Sequence, residues 1–257
     1  MRDAAAAVAS SGISLTGLTV AYDRGPAVRN VTGRFAPGSM TAVVGPNGAG
    51  KSTLVKAIAG VMAPGAGRVE RGSLSAHQLG YLPQAADIDR SFPLSVADTV
   101  LLGAWSRLGA LRGVDAGTAR QAQGALAAVG LAGMERRPVG ALSAGQFQRV
   151  LFARLLMQDA PVILLDEPFN AIDDRTTQDL LGLLRRWHGA GRTIIAVLHD
   201  LDQVRASFPD TLLIARDTIA WGPTATVLTE ANLQRARHAA AAWDDAPWHV
   251  PARRTVR

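Results

Sequence analysis

The chain has 257 residues, room for one sizeable core or for a core with an attached subdomain. Apolar residues make up 48% and charged residues 19%, a globular balance, and the lack of any cysteine excludes disulfides, thiolate metal sites and cysteine nucleophiles. The net charge of +6 is spread along the chain without an aromatic-interleaved basic block, which argues against nucleic acid as a partner, and no apolar run nears the ~18–20 residues that cross a bilayer.

Met1-Arg2-Asp3 and the alanine-rich stretch Ala4–Ala9 have the outline of a signal peptide, but an acid at position 3 and an alanine-only apolar run predict a disordered tail over residues 1–12. Ile13, Leu15, Leu18, Val20 and Tyr22 predict an imperfectly alternating strand. Met40–Val44 predicts a short buried strand, which runs into glycine-rich sequence and then a helix over Ser52–Ala59. Over about 87–157 the pattern turns helical. Ser95-Val96-Ala97-Asp98 reads as a capping box before Val100, a second helix is predicted over Thr118–Val129, and a third follows Ser143. Val162–Leu165 and Thr193–Leu198 are buried-strand signals separated by a helix around Thr176–His188. Strands alternating with helices predict an α/β fold with a mostly parallel sheet, into which the helical subdomain is inserted. An alanine-rich helix over Ala231–Ala242 is predicted within a C-terminal tail, 229–257, that carries Pro247, Pro251, Arg253, Arg254 and Arg257.

Gly45-Pro46-Asn47-Gly48-Ala49-Gly50-Lys51-Ser52-Thr53 fits G-x-x-x-x-G-K-[ST] between a predicted strand and a predicted helix. Glycines let backbone N–H groups turn inward around phosphate oxygens, and the helix N-terminus adds its positive end. Lys51 is then placed to reach the β- and γ-phosphates of a nucleotide, and the Ser52 hydroxyl to ligate Mg²⁺. Val162-Ile163-Leu164-Leu165-Asp166-Glu167-Pro168 is an apolar strand that ends in two acids. Packing gives no reason for carboxylates there, since burying them unpaired is costly. Beside a phosphate loop, Asp166 suits the Mg²⁺ shell and Glu167 suits a general base that orients the attacking water. His199 follows the next strand, at the sheet edge where ligands bind in parallel sheets, and is a candidate for the γ-phosphate. His77, His188, His238 and His249 have no metal-ligand spacing and read as surface or structural residues.

Leu142-Ser143-Ala144-Gly145-Gln146 resembles the L-S-G-G-Q signature of ABC (ATP-binding cassette) proteins. The family's other motifs stand around it in order. Gln84 in Tyr81-Leu82-Pro83-Gln84 matches the Q-loop, Asn170-Ala171-Ile172-Asp173 the D-loop, His199 the switch histidine, and Tyr22 the aromatic that stacks on adenine. The resemblance covers about Ile13 to Leu228, and it implies the ABC ATPase cassette fold over 13–228 with a small antiparallel β part. It also implies ATP with Mg²⁺ held by Ser52, Gln84 and Asp166, and a head-to-tail homodimer. There each ATP lies between the phosphate loop of one cassette and Ser143, Gly145, Gln146 and Asp173 of the other. Ala144 departs from the first signature glycine. A methyl group is compatible with the motif if that residue has a negative φ, and it bears on turnover speed rather than identity.

Three function classes follow: the ATPase of a membrane importer, a soluble cassette acting on ribosomes or DNA, and a regulatory protein that binds ATP without hydrolysing it. Lys51 and Ser143 lie close in sequence, with no long coiled coil between them, and Glu167 and His199 are intact, so the first is favoured. Within importers, residues 89–96, 146–154 and 168–173 are most similar to the zinc/manganese uptake group, zinc first and manganese next. Ferric-siderophore or haem importers are the alternative. The resemblance implies a peripheral subunit at the cytoplasmic face of the membrane, working with a separate permease and, indirectly, an external metal-binding protein.

Overall fold

The computed structural model describes residues 12–22, 25–109, 113–170 and 172–244. The expected tail over 1–12 therefore lies, except for Gly12, outside the described residues, as do Ala171 and the end of the C-terminal tail, 245–257. The chain divides into two compact units.

One unit comprises, of the described residues, 36–40, 72–109, 113–170 and 172–198 together with Gly12. Its strands β5 (Leu79–Leu82), β6 (Val162–Asp166) and β7 (Thr193–Val197) run parallel, with Leu79 beside Val162 and Val162 beside Thr193. β6 and β7 are buried along their whole length, which is why they read as continuous apolar runs rather than alternating ones. Between β5 and β6 lie the helices α2 (Val96–Leu101), α3 (Trp105–Leu108), α4 (Ala116–Ala128) and α5 (Ala144–Gln158), and α6 (Asp174–Gly189) joins β6 to β7. Each longer helix starts at a side-chain cap. Asp115 accepts from the Thr118 N–H and Asp173 from the Thr176 N–H, while Ser95 and Ser143 form capping boxes with Asp98 and Gln146. A cap of this kind stabilises a helix by about 1 kcal/mol.

The other unit comprises, of the described residues, 13–22, 25–35, 41–71 and 199–244. In it β1 (Ile13–Tyr22) pairs antiparallel with β2 (Gly25–Phe35) on one side and with β4 (Ala66–Glu70) on the other. The imperfect alternation expected in β1 has a physical source: the register shifts between Leu15 and Leu18, so both still face the core. β3 (Met40–Val44) runs parallel to β8 (Asp210–Ala215), and β9 (Asp217–Pro223) closes antiparallel on β8. The Trp221 ring of β9 packs 4.5 Å from that of Phe35, centroid to centroid. Helix α1 (Lys51–Ala59) follows β3, α7 (Leu201–Ser207) precedes β8, and α8 (Thr224–Val227) and α9 (Glu230–Asp244) end the described chain. The parallel strands, the small antiparallel sheet and the inserted helices are the fold class that the sequence predicts. No helix among the described residues is long and apolar enough to cross a membrane.

Candidate functional site

The unit that holds β3 carries the phosphate loop. β3 ends at Val44, and residues 45–50 form the turn into α1. Gly50 is the helix N-cap at φ +89°, and a Cβ on it would lie 2.1 Å from the Ala27 carbonyl oxygen. A Cβ on Gly45 would lie 2.0 Å from the Ile214 carbonyl oxygen. Both positions therefore require glycine. No side chain caps α1, which leaves its first turn to receive an acceptor from outside. Lys51 is only 5% exposed, and its ammonium curls back to donate to the Gly45 and Pro46 carbonyls, each at 2.9 Å. A buried cation beside an uncapped helix end suits a phosphate group.

Tyr22 ends β1 with its ring exposed and its hydroxyl 3.3 Å from the Thr53 hydroxyl and 3.2 Å from the Met62 sulfur. Together with Pro26, Ala27, Gly48 and Arg216 it lines an open crevice of about 630 Å³. Arg216 was passed over by sequence reasoning. It sits in the β8–β9 turn at φ +62°, its N–H donates to the Ala49 carbonyl at 2.9 Å, and its guanidinium reaches the Pro26 carbonyl at 3.4 Å. The apolar run of β8 just before it was the available signal. His199 is exposed beside Asp200, whose carboxylate caps α7 by accepting the N–H groups of Asp202 and Gln203.

In the other unit, β6 ends in Asp166, which is 0% exposed. Glu167 then takes φ +51°, a left-handed conformation unusual for a side-chain-bearing residue. The Asn170 N–H donates to the Glu167 carbonyl at 3.3 Å, and the Asn170 amide reaches its carboxylate at 3.4 Å. Glu167 and Asn170 line a cavity of about 340 Å³ with Gln84, Arg90, Ala144 and Gln148. A second cavity of about 470 Å³ gathers Ser143, Ala144, Gly145, Gln146 and Asp173 with Arg149 and Thr176. Ala144 thus lines both.

The signature region is a helix start. The Ser143 hydroxyl accepts from the Gln146 N–H at 3.2 Å, and the Ser143 N–H donates to Gln146 Oε1 at 3.1 Å. Ala144 is the first residue of α5 and is not among the residues with positive φ, so its methyl group meets the condition set by the sequence. Asp173 caps α6 with one carboxylate oxygen on the Thr176 N–H and the other on the Thr176 hydroxyl, both at 2.8 Å. Those bonds, the N–H first, hold its carboxyl below the usual carboxylate range. Arg149, one helical turn further along α5, donates to the Val129 carbonyl at 3.0 Å, to the Thr176 hydroxyl at 2.9 Å and to Asp179 at 3.1 Å. Among the described residues no three His, Cys, Asp or Glu side chains gather into a metal-binding group.

A family profile described as ABC transporter matches residues 28–170. The chain is 38% identical over 226 residues to the manganese transport system ATP-binding protein MntB of Listeria monocytogenes, covering 86% of this chain and 94% of that one. It is 37% identical over 228 residues to the zinc transport system ATP-binding protein TroB of Treponema pallidum, covering 87% and 86%. Of solved structures, a metal-chelate type ABC transporter in an inward-facing conformation superposes with a TM-score of 0.78 at 29% identity, over 89% of each chain. A dimeric bacterial ABC transporter cassette superposes with a TM-score of 0.72 at 25% identity, over 82% of this chain and 98% of that one.

Proposed function

Because the chain belongs to the ABC transporter family and is an ATP-binding, ATP-hydrolysing subunit, we propose that it energises import of a divalent transition metal, zinc or manganese, through a separate membrane permease. The observation that carries this reading is the 38% identity, over 86% of this chain and 94% of the relative, to a protein named for manganese transport. The relative named for zinc supports the pair of metals and leaves the order between them to experiment. The chain's own donors agree with a motor rather than a carrier. It has no cysteine for a thiolate zinc site and its five histidines show no metal-ligand spacing, which agrees with the metal being handed over elsewhere. The subunit then works at the cytoplasmic face of the membrane, and an external binding protein supplies the permease.

The residue roles follow from the chemistry at each position. Lys51 and the amides of 45–50 hold the β- and γ-phosphates, and the Tyr22 ring stacks on adenine. The Ser52 hydroxyl, the Gln84 amide oxygen and the Asp166 carboxylate are oxygen donors, the set Mg²⁺ prefers, and a wholly buried carboxylate such as Asp166 suits a cation better than a packing role. Mg²⁺ bound with ATP neutralises charge on the phosphates. Glu167 orients the water and takes its proton, and His199 contacts the γ-phosphate. Ser143, Gly145 and Gln146, with Asp173, close on ATP held by a second copy of the chain. Deleting the gene is expected to impair growth under zinc or manganese chelation, with the matching metal restoring it. A requirement seen only under iron or haem limitation would sink the metal assignment in favour of ferric-siderophore or haem import, a second reading kept alive by the likeness to a metal-chelate type transporter.

A further inference from the structure

The segment that follows Gln84 returns to the start of the signature helix. The Val139 N–H donates to the Leu94 carbonyl at 3.0 Å, the Val96 N–H to Arg137 at 2.9 Å and the Ala97 N–H to Glu135 at 2.9 Å. Arg90 continues this stitching with its side chain. Its Nη2 donates to the Val139 carbonyl at 3.2 Å and to the Leu142 carbonyl, and its Cζ lies 4.7 Å from the centre of the Phe147 ring.

The Leu142 carbonyl belongs to the peptide unit whose N–H is that of Ser143, and that N–H donates to Gln146 Oε1 at 3.1 Å. One peptide plane is therefore gripped from both sides, by Arg90 on the carbonyl and by Gln146 on the amide. Turning it would take Ser143 out of its cap geometry, φ −62° and ψ 164°, and would redirect the amides of the first turn, Gly145 among them. Phe147, 2% exposed and one turn into α5, lies against the face of the same guanidinium. Filling space does not account for this arrangement. The Arg90 Nε is buried without a hydrogen-bond partner, a cost that an apolar side chain of similar volume would avoid. A planar cation gives what an apolar group cannot, an edge for the carbonyls and a face for the ring.

We infer that Arg90 is a positioning residue for the signature. It acts through the Leu142–Ser143 peptide, and it makes the segment after Gln84 and the phosphate-facing end of α5 move as one piece. The inference rests on the reading that this end closes on ATP held by a second copy.

The test uses the full chain carrying Glu167→Gln, with ATP, in size-exclusion chromatography with light scattering over a range of protein concentrations. ATP-dependent dimerisation of that variant supports the dimer reading by itself. Adding Arg90→Ala is expected to weaken the dimer by about tenfold or more, the usual scale for a charge-assisted hydrogen bond. A fluorescent ATP analogue should bind the monomer as before, because the phosphate loop lies outside the stitched segment. Arg90→Lys keeps the charge, but an ammonium cannot stack and reach two carbonyls together, so it should not restore the dimer. Without nucleotide, hydrogen exchange of the amides at 143–147 should quicken about tenfold in Arg90→Ala. Unchanged dimerisation with unchanged exchange overturns the inference. So does full rescue by Lys, or analogue binding that falls in step with the dimer and so marks a general loss of fold. If Glu167→Gln alone does not dimerise, the dimer reading fails and the exchange rates at 143–147 decide the role of Arg90.

Discussion

The phosphate loop and the signature both present a helix N-terminus, and they are built in opposite ways. At α1 no side chain caps the helix, and Gly50 occupies the cap position at a φ that other residues resist, with the Ala27 carbonyl 2.1 Å from where a Cβ would stand. At α5 the cap is a Ser143–Gln146 box in ordinary backbone geometry, and Ala144 replaces a family glycine without strain. Glycine is demanded where the chain must turn at positive φ and pass close to a neighbouring strand. It is dispensable at a helix end that caps itself in ordinary backbone geometry.

Four substitutions would break or sharpen that contrast. The largest effect is expected from Glu167→Gln, which leaves both helix ends intact and removes the proposed base. Hydrolysis should fall by ~10²–10⁴ while ATP binding persists, read from phosphate release and from binding of a fluorescent nucleotide. Near-normal turnover would remove Glu167 from the role of base. Next comes the pair Gly50→Ala and Ala144→Gly. The first forces a strained conformation and a backbone clash, and nucleotide affinity should drop about 10–100-fold, given ~1–3 kcal/mol for such strain. The second should shift stability by no more than about 1 kcal/mol, with turnover rising if the methyl group slows it. Equal effects from the two would show that the two ends are not built differently. Ser143→Ala should then cost about 1 kcal/mol in a melting experiment through loss of the cap, and ATP-driven dimerisation should weaken with it.

The smallest effect concerns pH. The folded Asp173 carboxyl sits below its unfolded value, so its stabilisation is fully present above the unfolded pKa near 3.9 and is lost as pH falls through the lower folded value. Asp173→Asn keeps a capping oxygen and removes the charge. Its melting temperature should lie below that of the unmodified chain at pH 7, and the gap should narrow below about pH 4. A gap that stays constant down to pH 2 would mean the carboxylate contributes nothing through its charge.

Much of this was legible along the chain, because the relevant physics is local. The phosphate loop is contiguous, and the capping box at Ser95 is a short-range pattern that the structure reproduces with Asp98, while the helix expected after Ser143 proves to start with a box of its own. Strands β3, β6 and β7 were legible because burial on both faces leaves uninterrupted apolar runs. β2 was not, since its buried positions are interspersed with Arg29, Asn30 and Arg34. The long-range bonds of Arg154 and Arg90 escaped for a different reason. Arg154 donates to the Tyr81 carbonyl at 3.2 Å across 73 positions, and Arg90 reaches 52 positions to Leu142, distances over which no sequence period carries information. Both arginines stood inside segments noted for their likeness to the family, yet nothing in a likeness says which carbonyl a guanidinium will find.

With Glu167 in the proposed role of base, its left-handed backbone would set stability against activity. A residue with a Cβ at φ +51° is held there by its surroundings at a standing cost, and the one residue that would occupy that conformation freely is glycine. Glu167→Gly is therefore expected to melt at a higher temperature than the natural chain while losing most of its ATP hydrolysis. Selection for turnover would then be keeping this protein less robust than it could be, at one peptide unit, and screens for thermostable variants should recover glycine at that position as a nearly inactive enzyme.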